Sequence, residues 1–476
     1  MKIQSEFKKG ILFSAIGKYS NVLIQLGVTA VLSRILTPLE YGVVAVVNVF
    51  LIFFTMLTDV GIGPAVIQNK SLEKKDINSI FSFSLLLSLC LGILFLILAK
   101  PISIFYHNPV YTKVCSVLAI SIFTTGIIVI PQSLMLKNKD FFEVNMTIVI
   151  ANAISGVAAI IMAINHFSYY SLLFSYIIKN VIVFFVFYNK VEVKVPLKIS
   201  LTPLKSIYEF SRNQFMFSFI NYFSRNLDNI LIGKIISPNA LAYYDKAYQL
   251  SLYPNQLLTS VIGPVIQPIM SDYQNDRSVI KNVYLKISKI LGTIGMPLTV
   301  FLFFSANEII YIMFGNQWAG SVGTFKVLGV SIWIQIILSS TGAIFQSANR
   351  TDLLLKAGIF SSILNVSSII AGIISGRIEY VALVLVISFL VNFIQANYLL
   401  MRVLFESKMR EFYKVLYKPF LISLVMIAVF FIFSYFHINN IYLSFVIKLF
   451  IYLLVFILGL VVTGELKELK KIILNN

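Results

Sequence analysis

Cysteine, histidine and carboxylate are all scarce in this chain. It has two cysteines, Cys90 and Cys115, and three histidines, His107, His166 and His437, in 476 residues. None stands at ligand spacing from another, so neither a metal centre nor a disulfide framework is expected, and no cofactor is called for. The cysteines read as packing residues and the histidines as turn residues near the membrane surface. The 20 acidic residues are outnumbered by 38 basic ones, for a net charge of +18. No G-x-x-x-x-G-K-[ST] loop occurs; Gly10 to Lys18, GILFSAIGK, has the wrong spacing and lies in an apolar run. Nothing therefore supports ATP-driven transport by this chain alone. Long polar segments are absent too. The largest connection runs from Asn189 to Pro203, which argues against an enzyme that needs a sizeable external catalytic loop. The start, MKIQSEFKKG, leads into a long polar-striped helix without a small-residue cleavage site, so that helix is expected to be retained.

What the chain has in abundance is apolar surface: 58% of its residues are hydrophobic and only 12% charged, with a mean hydropathy of +0.88. No soluble core hides that much, and the composition predicts an all-α polytopic membrane protein. Apolar runs bounded by Pro, Gly, Asn or charge predict fourteen helices, at 10–34, 40–66, 77–99, 113–136, 142–164, 167–188, 206–235, 239–269, 281–304, 319–347, 353–375, 378–401, 415–436 and 440–463. Lys and Arg punctuate these runs instead of gathering on a water-exposed domain, so nucleic acid is not an expected partner. One alternating set of connections holds 26 of them and the opposite set 5, leaving 7 inside helices. Positive charge collects on the cytoplasmic side. Both termini are therefore expected in the cytoplasm.

A motif written twice gives the organisation. The pattern [LI]-x-[RK]-I-[LI]-[ST]-P runs from Leu32 to Pro38 and again from Ile232 to Pro238, at an offset of 200. Gly63-Pro64 and Gly263-Pro264 repeat at the same offset, each followed by an apolar stretch ending in Gln. An offset of six helices returns the chain to the same side in the same direction, which predicts two parallel six-helix repeats and a C-terminal helix pair. The expected divisions are an N-lobe at 1–190, a linker at 191–205, a C-lobe repeat at 206–402 and an appended pair with its tail at 403–476.

Charged and amide side chains within the apolar runs are the pointers to function, because a charge at the bilayer centre costs about 2.5–3.5 kcal/mol on insertion scales. In the first helix Ser14, Lys18, Asn21, Gln25 and Thr29 recur at spacings of 4, 3, 4 and 4, one face of a helix. In the seventh, Ser218, Asn221, Arg225 and Asn229 stand 200 residues after Lys18, Asn21, Gln25 and Thr29. Lys179 and Lys246 add further cations. An anion-binding ladder built from Lys18, Asn21, Gln25, Lys179, Asn221, Arg225 and Lys246 is one reading. Interhelical hydrogen bonds between Ser and Asn are another. Asp59 and Asp228 are candidates for ion pairs, with Lys18 and Arg225 respectively, or for binding a coupling ion, and Asp245 stands beside Lys246. Tyr243, Tyr244 and Tyr248 could stack on sugar rings, although core packing suits them better.

The stretch from Phe7 to Gly42, with Leu32-Ser-Arg34-Ile-Leu36-Thr-Pro38-Leu-Glu40-Tyr41-Gly42, and GIGPAVIQ from Gly61 to Gln68, resembles the polysaccharide transporters of the multidrug/oligosaccharidyl-lipid/polysaccharide exporter superfamily, in particular Wzx-type, WzxC-like flippases. The resemblance spans the whole chain. It implies a two-lobed cavity and movement of a polyprenyl-diphosphate-linked oligosaccharide from the inner to the outer leaflet of a bacterial or archaeal cytoplasmic membrane. It further implies a polysaccharide polymerase and glycosyltransferases as neighbours in the process, and no catalysis by this chain. A cation-coupled multidrug exporter of the same superfamily is the alternative. Such a carrier needs a desolvated acid where the first helix offers Lys18.

Overall fold

The computed structural model describes residues 2–69, 71–195, 200, 202–259, 270, 273–274, 276, 277–436 and 438–468, excepting the side chains of 2–15, 206, 209–210, 213–214, 217–218, 220–221 and 223–225. Among the described residues every regular element is a helix. The chain divides into two compact units, Met1–Ala242 and Tyr243–Asn476.

The first unit contains α1 (Lys2–Ile35), α2 (Pro38–Asp59), α3 (Ile62–Gln68), α4 (Lys74–Phe105), α5 (Val110–Lys137), α6 (Phe141–Ile164), α7 (Tyr170–Lys190) and α8 (Thr202–Leu231). A π-helical turn, Ile232–Ile236, ends α8, and α9 (Pro238–Thr259) crosses into the second unit. That unit continues with α10 (Arg277–Phe304), α11 (Ala306–Phe314), α12 (Ser321–Gly329), α13 (Ile332–Ser347), α14 (Thr351–Ile373), α15 (Ile378–Tyr398), α16 (Met409–Phe433) and α17 (Ile441–Val462). Ten of the described helical segments are long and apolar enough to cross a bilayer, or eleven if the bent pair α12–α13 counts as one. The remaining expected spans coincide with α1, α8 and α9, whose polar stripes lower their hydropathy.

Two expected spans are broken. The tenth bends by 53° between α12 and α13. The second breaks at Val60 and Gly61, both left-handed, with φ of 42° and 72°. Pro64 explains that break, because it has no N–H to offer the carbonyl four residues back and its ring crowds that position. The repeated Gly-Pro pair is thus a helix breaker inside the span, where the sequence reading placed a helix end. Its second copy, Gly263-Pro264, lies outside the described residues.

The other repeated motif is a capping device. Thr37 precedes Pro38 at the first helical position of α2, its hydroxyl accepts from the Glu40 N–H at 3.3 Å, and the Glu40 carboxylate accepts from the Thr37 N–H at 2.7 Å. Ser237 repeats half of it, accepting from the Ala240 N–H at 3.1 Å. The two turns meet: a Cβ on Gly42 would stand 2.2 Å from the Pro238 carbonyl oxygen, so only glycine permits this approach. Further along, the Tyr222 hydroxyl donates to the Val49 carbonyl at 2.5 Å, and Tyr106 donates to the Ile230 carbonyl at 3.4 Å. The helix that opens the second repeat is in this way joined to α2 and α4 of the first unit.

In the second unit, α10, α13 and α16 enclose a core that includes Tyr284, Leu291, Ile336, Phe345 and Phe412. Two ion clusters fasten the appended pair. Glu308 of α11, buried, accepts from Lys448 at 2.5 Å and from Ser444 at 2.8 Å, both on α17. At the far end of α17, Glu465 is fully buried within 3.1 Å of Lys289 and 3.2 Å of Lys418, while Glu468 pairs with the same two lysines. The hydrogen bond from Lys289, reinforced by Lys418, holds the Glu468 carboxyl below its usual range. A carboxyl depressed on folding contributes stability that is present above its unfolded pKa, about 4.3, and is lost as pH falls through the folded value. Glu468→Gln should accordingly lower the melting temperature of the solubilised protein at neutral pH, and the difference from wild type should close on acidification below about pH 4. A difference that stays constant with pH would show that Glu468 stabilises by packing alone.

Candidate functional site

Within the first unit, α1 is the helix on which the expected polar stripe can be followed. Ile16, Leu23 and Val31 are exposed, at 49%, 67% and 42%, and mark its lipid-facing side. At about 100° per residue, Lys18 and Gln25 fall together and roughly opposite that side. Both are exposed. An exposed cation and amide on the face turned away from lipid are what an aqueous cavity requires.

Asn21 behaves differently. Its side-chain oxygen accepts from Asn152 of α6, so this member of the stripe serves the α1–α6 seam. The seam is close: a Cβ on Gly17 would stand 2.6 Å from Asn145, and one on Gly156 would stand 2.4 Å from Val28. Asn21 thus takes the interhelical role that was one of the two readings of the stripe, and Lys18 and Gln25 stay exposed. Asn145 and Asn152, seven residues apart in an apolar run, were the overlooked signal in the sequence.

Lys179 of α7 is half-buried and makes no ion pair among the described residues. Its neighbour Asn180 donates to Thr125 at 2.8 Å and Thr124 at 3.3 Å on α5. The side chains of Asn221 and Arg225 lie outside the described residues, as does the expected pairing of Arg225 with Asp228. Asp228 is buried, and its carboxylate accepts from the Asn229 N–H at 2.8 Å.

Asp59 has a role of its own. It forms no ion pair with Lys18; its Oδ1 accepts from the Gly63 N–H at 2.9 Å, capping the new N-terminus that the helix break creates. On the other side of the break the buried Ser211 of α8 donates to the Gly61 carbonyl at 3.4 Å. Gly63 itself has Ser133 Oγ and Asp59 Oδ1 about where a Cβ would need room, at 2.9 and 3.0 Å. A broken span in a transporter is either a binding element or a bending point, and this one carries two side-chain latches from two different helices.

In the second unit, Lys246 is buried, with its ammonium 5.8 Å from the Phe314 ring and 5.9 Å from that of Trp318. Desolvated cation–π contacts of this kind hold a lysine in place. Gln249 donates to the adjacent Asp245 at 2.7 Å. Tyr244 is fully buried and stacked on Tyr248, which is core packing, and Tyr243 stands edge-on to Trp318. His107 and His166 adopt left-handed backbone at φ 54° and 62°, as turn residues; His437 lies outside the described residues. Cys90 and Cys115 are both free thiols; Cys115 is buried, as a packing residue is, but Cys90 is exposed on α4, which corrects that reading for it.

Polar residues on the faces of long apolar helices define a helical membrane protein, and comparison with known proteins narrows the class. Residues 31–323 match the family described as polysaccharide biosynthesis protein, and the chain belongs to that family. It is 24% identical over 432 residues to the teichuronic acid biosynthesis protein TuaB of Bacillus subtilis, covering 89% of this chain and 88% of that one. It is 22% identical over 440 residues to the lipopolysaccharide biosynthesis protein WzxC of Escherichia coli, covering 90% and 88%. Its fold matches that of the lipid II flippase MurJ in an inward closed conformation, with a TM-score of 0.76 at 16% identity over 96% of this chain and 99% of that one. The chain is thus a multi-pass membrane protein of the polysaccharide biosynthesis family with a fold like that of MurJ.

If capping is what Asp59 does, an amide should serve as well as a carboxylate. Asp59→Asn should keep both melting temperature and transport near wild type, while Asp59→Ala should lose about 1 kcal/mol of stability. Equal loss of transport in the two variants, with stability retained in Asp59→Asn, would mean that the charge is needed, as for a coupling ion. Val60→Gly should be neutral or stabilising, since it relieves a β-branched residue of left-handed backbone worth about 1–3 kcal/mol of strain.

Proposed function

We propose that this protein is a flippase that carries a polyprenyl-diphosphate-linked oligosaccharide from the cytoplasmic to the outer leaflet for the synthesis of a cell-surface polysaccharide. The observation that carries this reading is the placement of Lys18 and Gln25, exposed on the side of α1 opposite its lipid face. A diphosphate cannot enter hydrocarbon, but an ammonium and neighbouring amides in a wet cleft bind it through charge-assisted hydrogen bonds while the prenyl chain stays in lipid. Arg225, 200 residues after Gln25 on the matching helix, is the second anion contact, and Lys179 adds positive potential to the same cleft. Lys246, held between aromatic rings, is the remaining cation of the set. Family membership and the flippase fold support the substrate class.

Transport follows by alternating access, with the N-lobe at 1–190 and the C-lobe repeat at 206–402 exposing the site to each side in turn, and 403–476 as an appended pair. Both termini face the cytoplasm of a bacterial or archaeal cell, an orientation supported by the 26 to 5 division of Lys and Arg. The polymerase and glycosyltransferases that make and use the glycan are the functional partners. The chain itself does no bond chemistry.

In a flippase-deficient strain complemented with variants, Lys18→Ala and Arg225→Ala should each lower delivery of lipid-linked oligosaccharide tenfold or more, the equivalent of one charge-assisted hydrogen bond of about 1.5–3 kcal/mol, with membrane protein level unchanged. Undiminished delivery in Lys18→Ala would remove the anion site from α1. Loss of the protein itself in Arg225→Ala would make that residue a structural partner of Asp228.

Orientation is tested separately by single cysteines in a cysteine-free background. An impermeant thiol reagent applied to intact cells should miss position 194 and label position 437. The reverse pattern would invert the topology.

A further inference from the structure

At the turn between α15 and α16 the charges of the second unit are divided unevenly. The acids of this turn are taken by α10: Glu406 pairs with Arg277 at 3.0 Å and Glu411 with Lys281 at 3.1 Å. Lys418, one turn deeper on α16, is taken by Glu465 and Glu468. Arg402 in the π-helical segment Leu399–Leu404 that follows α15, and Arg410 and Lys414 on the first turns of α16, remain exposed, and none of the three makes an ion pair or hydrogen bond among the described residues. Lys408 adds a fourth exposed cation beside Glu411. The cations of α10 have absorbed the local acids, so three guanidinium and ammonium groups stand unopposed on two helices that flank one turn.

The surface below them is graded. Arg410, Tyr413, Lys414, Tyr417, Leu424 and Phe431 all lie on one exposed face of α16, and Tyr398 is exposed one turn below Arg402 on α15. From Arg410 to Phe431 the face spans about 30 Å at 1.5 Å per residue, the thickness of a hydrocarbon core. Cations stand at one end, tyrosines next, and aliphatic and phenyl side chains beyond. Tyrosine settles at headgroup depth. The order of groups along this face is the order of groups along a phospholipid: anionic headgroup, glycerol ester, acyl chain.

We infer that the α15–α16 turn is a binding site for an anionic phospholipid, whose phosphate is held by Arg402, Arg410 and Lys414 and whose acyl chains lie along the exposed face of α16. The assignment does not depend on what the protein transports. A zwitterionic lipid carries its own ammonium group and would meet these cations with no net attraction, which sets the preference for lipids of net negative charge.

The test uses the full-length protein in nanodiscs of phosphatidylcholine with and without phosphatidylglycerol, reading retained lipid by native mass spectrometry. Wild type should retain phosphatidylglycerol in preference to phosphatidylcholine. The preference should fall roughly fivefold for each cation removed in the series Arg410→Gln, Lys414→Gln and Arg402→Gln. Melting temperature in pure phosphatidylcholine should be unchanged across the series, which separates lost lipid from lost fold. Lys286→Gln with Lys356→Gln, removing exposed cations elsewhere on this unit, should leave the preference intact. An unaltered preference in the triple variant, an equal loss in the control, or displacement of the lipid by inorganic diphosphate would each overturn the assignment.

Discussion

In hydrocarbon there is no water to hydrogen-bond a peptide group, so every N–H and C=O that a helix break frees must find a partner in the protein. The organisation of this chain follows from that constraint. Pro64 denies its span one donor, the helix opens at Val60 and Gly61, and the exposed groups are taken by the Asp59 carboxylate and the Ser211 hydroxyl. At the other end of the same break, Lys137 of α5 donates to the Val66 and Asn69 carbonyls at 2.9 and 2.7 Å, closing the C-terminus of α3. A short helix of seven residues is thereby satisfied at both ends by three neighbouring helices. Its geometry is set by side chains that do not belong to it.

The same constraint governs charge. Cations in this chain fall into those with a protein partner and those without. Lys448, Lys289 and Lys418 neutralise buried or half-buried glutamates and fasten the appended pair to the second unit, where removing either partner alone would leave an isolated buried ion. Lys18 is exposed instead, opposite the apolar exposed side of α1, and the cations of the α15–α16 turn are exposed as well. Cations that hold helices together and cations left exposed are therefore different populations. Composition merges them into a single net charge of +18.

The chain belongs to the polysaccharide biosynthesis family and has a fold like that of the lipid II flippase MurJ. Within its first unit the polar stripe of α1 is divided. Asn21 is committed to Asn152 and holds α6, while Lys18 and Gln25 of the same stripe stay exposed. Close approach at Gly17 and Gly156 is what allows so polar a helix to pack at all.

Much of the fold was legible in the sequence. Apolar run lengths depend only on bilayer thickness, so the helices could be placed without any side chain meeting another. The capping turn at Thr37 and Glu40 is equally local and was written in T-P-x-E. What only the tertiary structure decided was which polar groups are used up. Whether Asp59 would pair with Lys18 or cap Gly63 turned on a break whose left-handed residue is a valine, which no propensity favours. Whether Asn21 would face water or Asn152 turned on the register of α1 against α6, which is set by two glycines far apart in sequence. Periodicity identifies a face of a helix, but the neighbour packed against that face determines its chemistry.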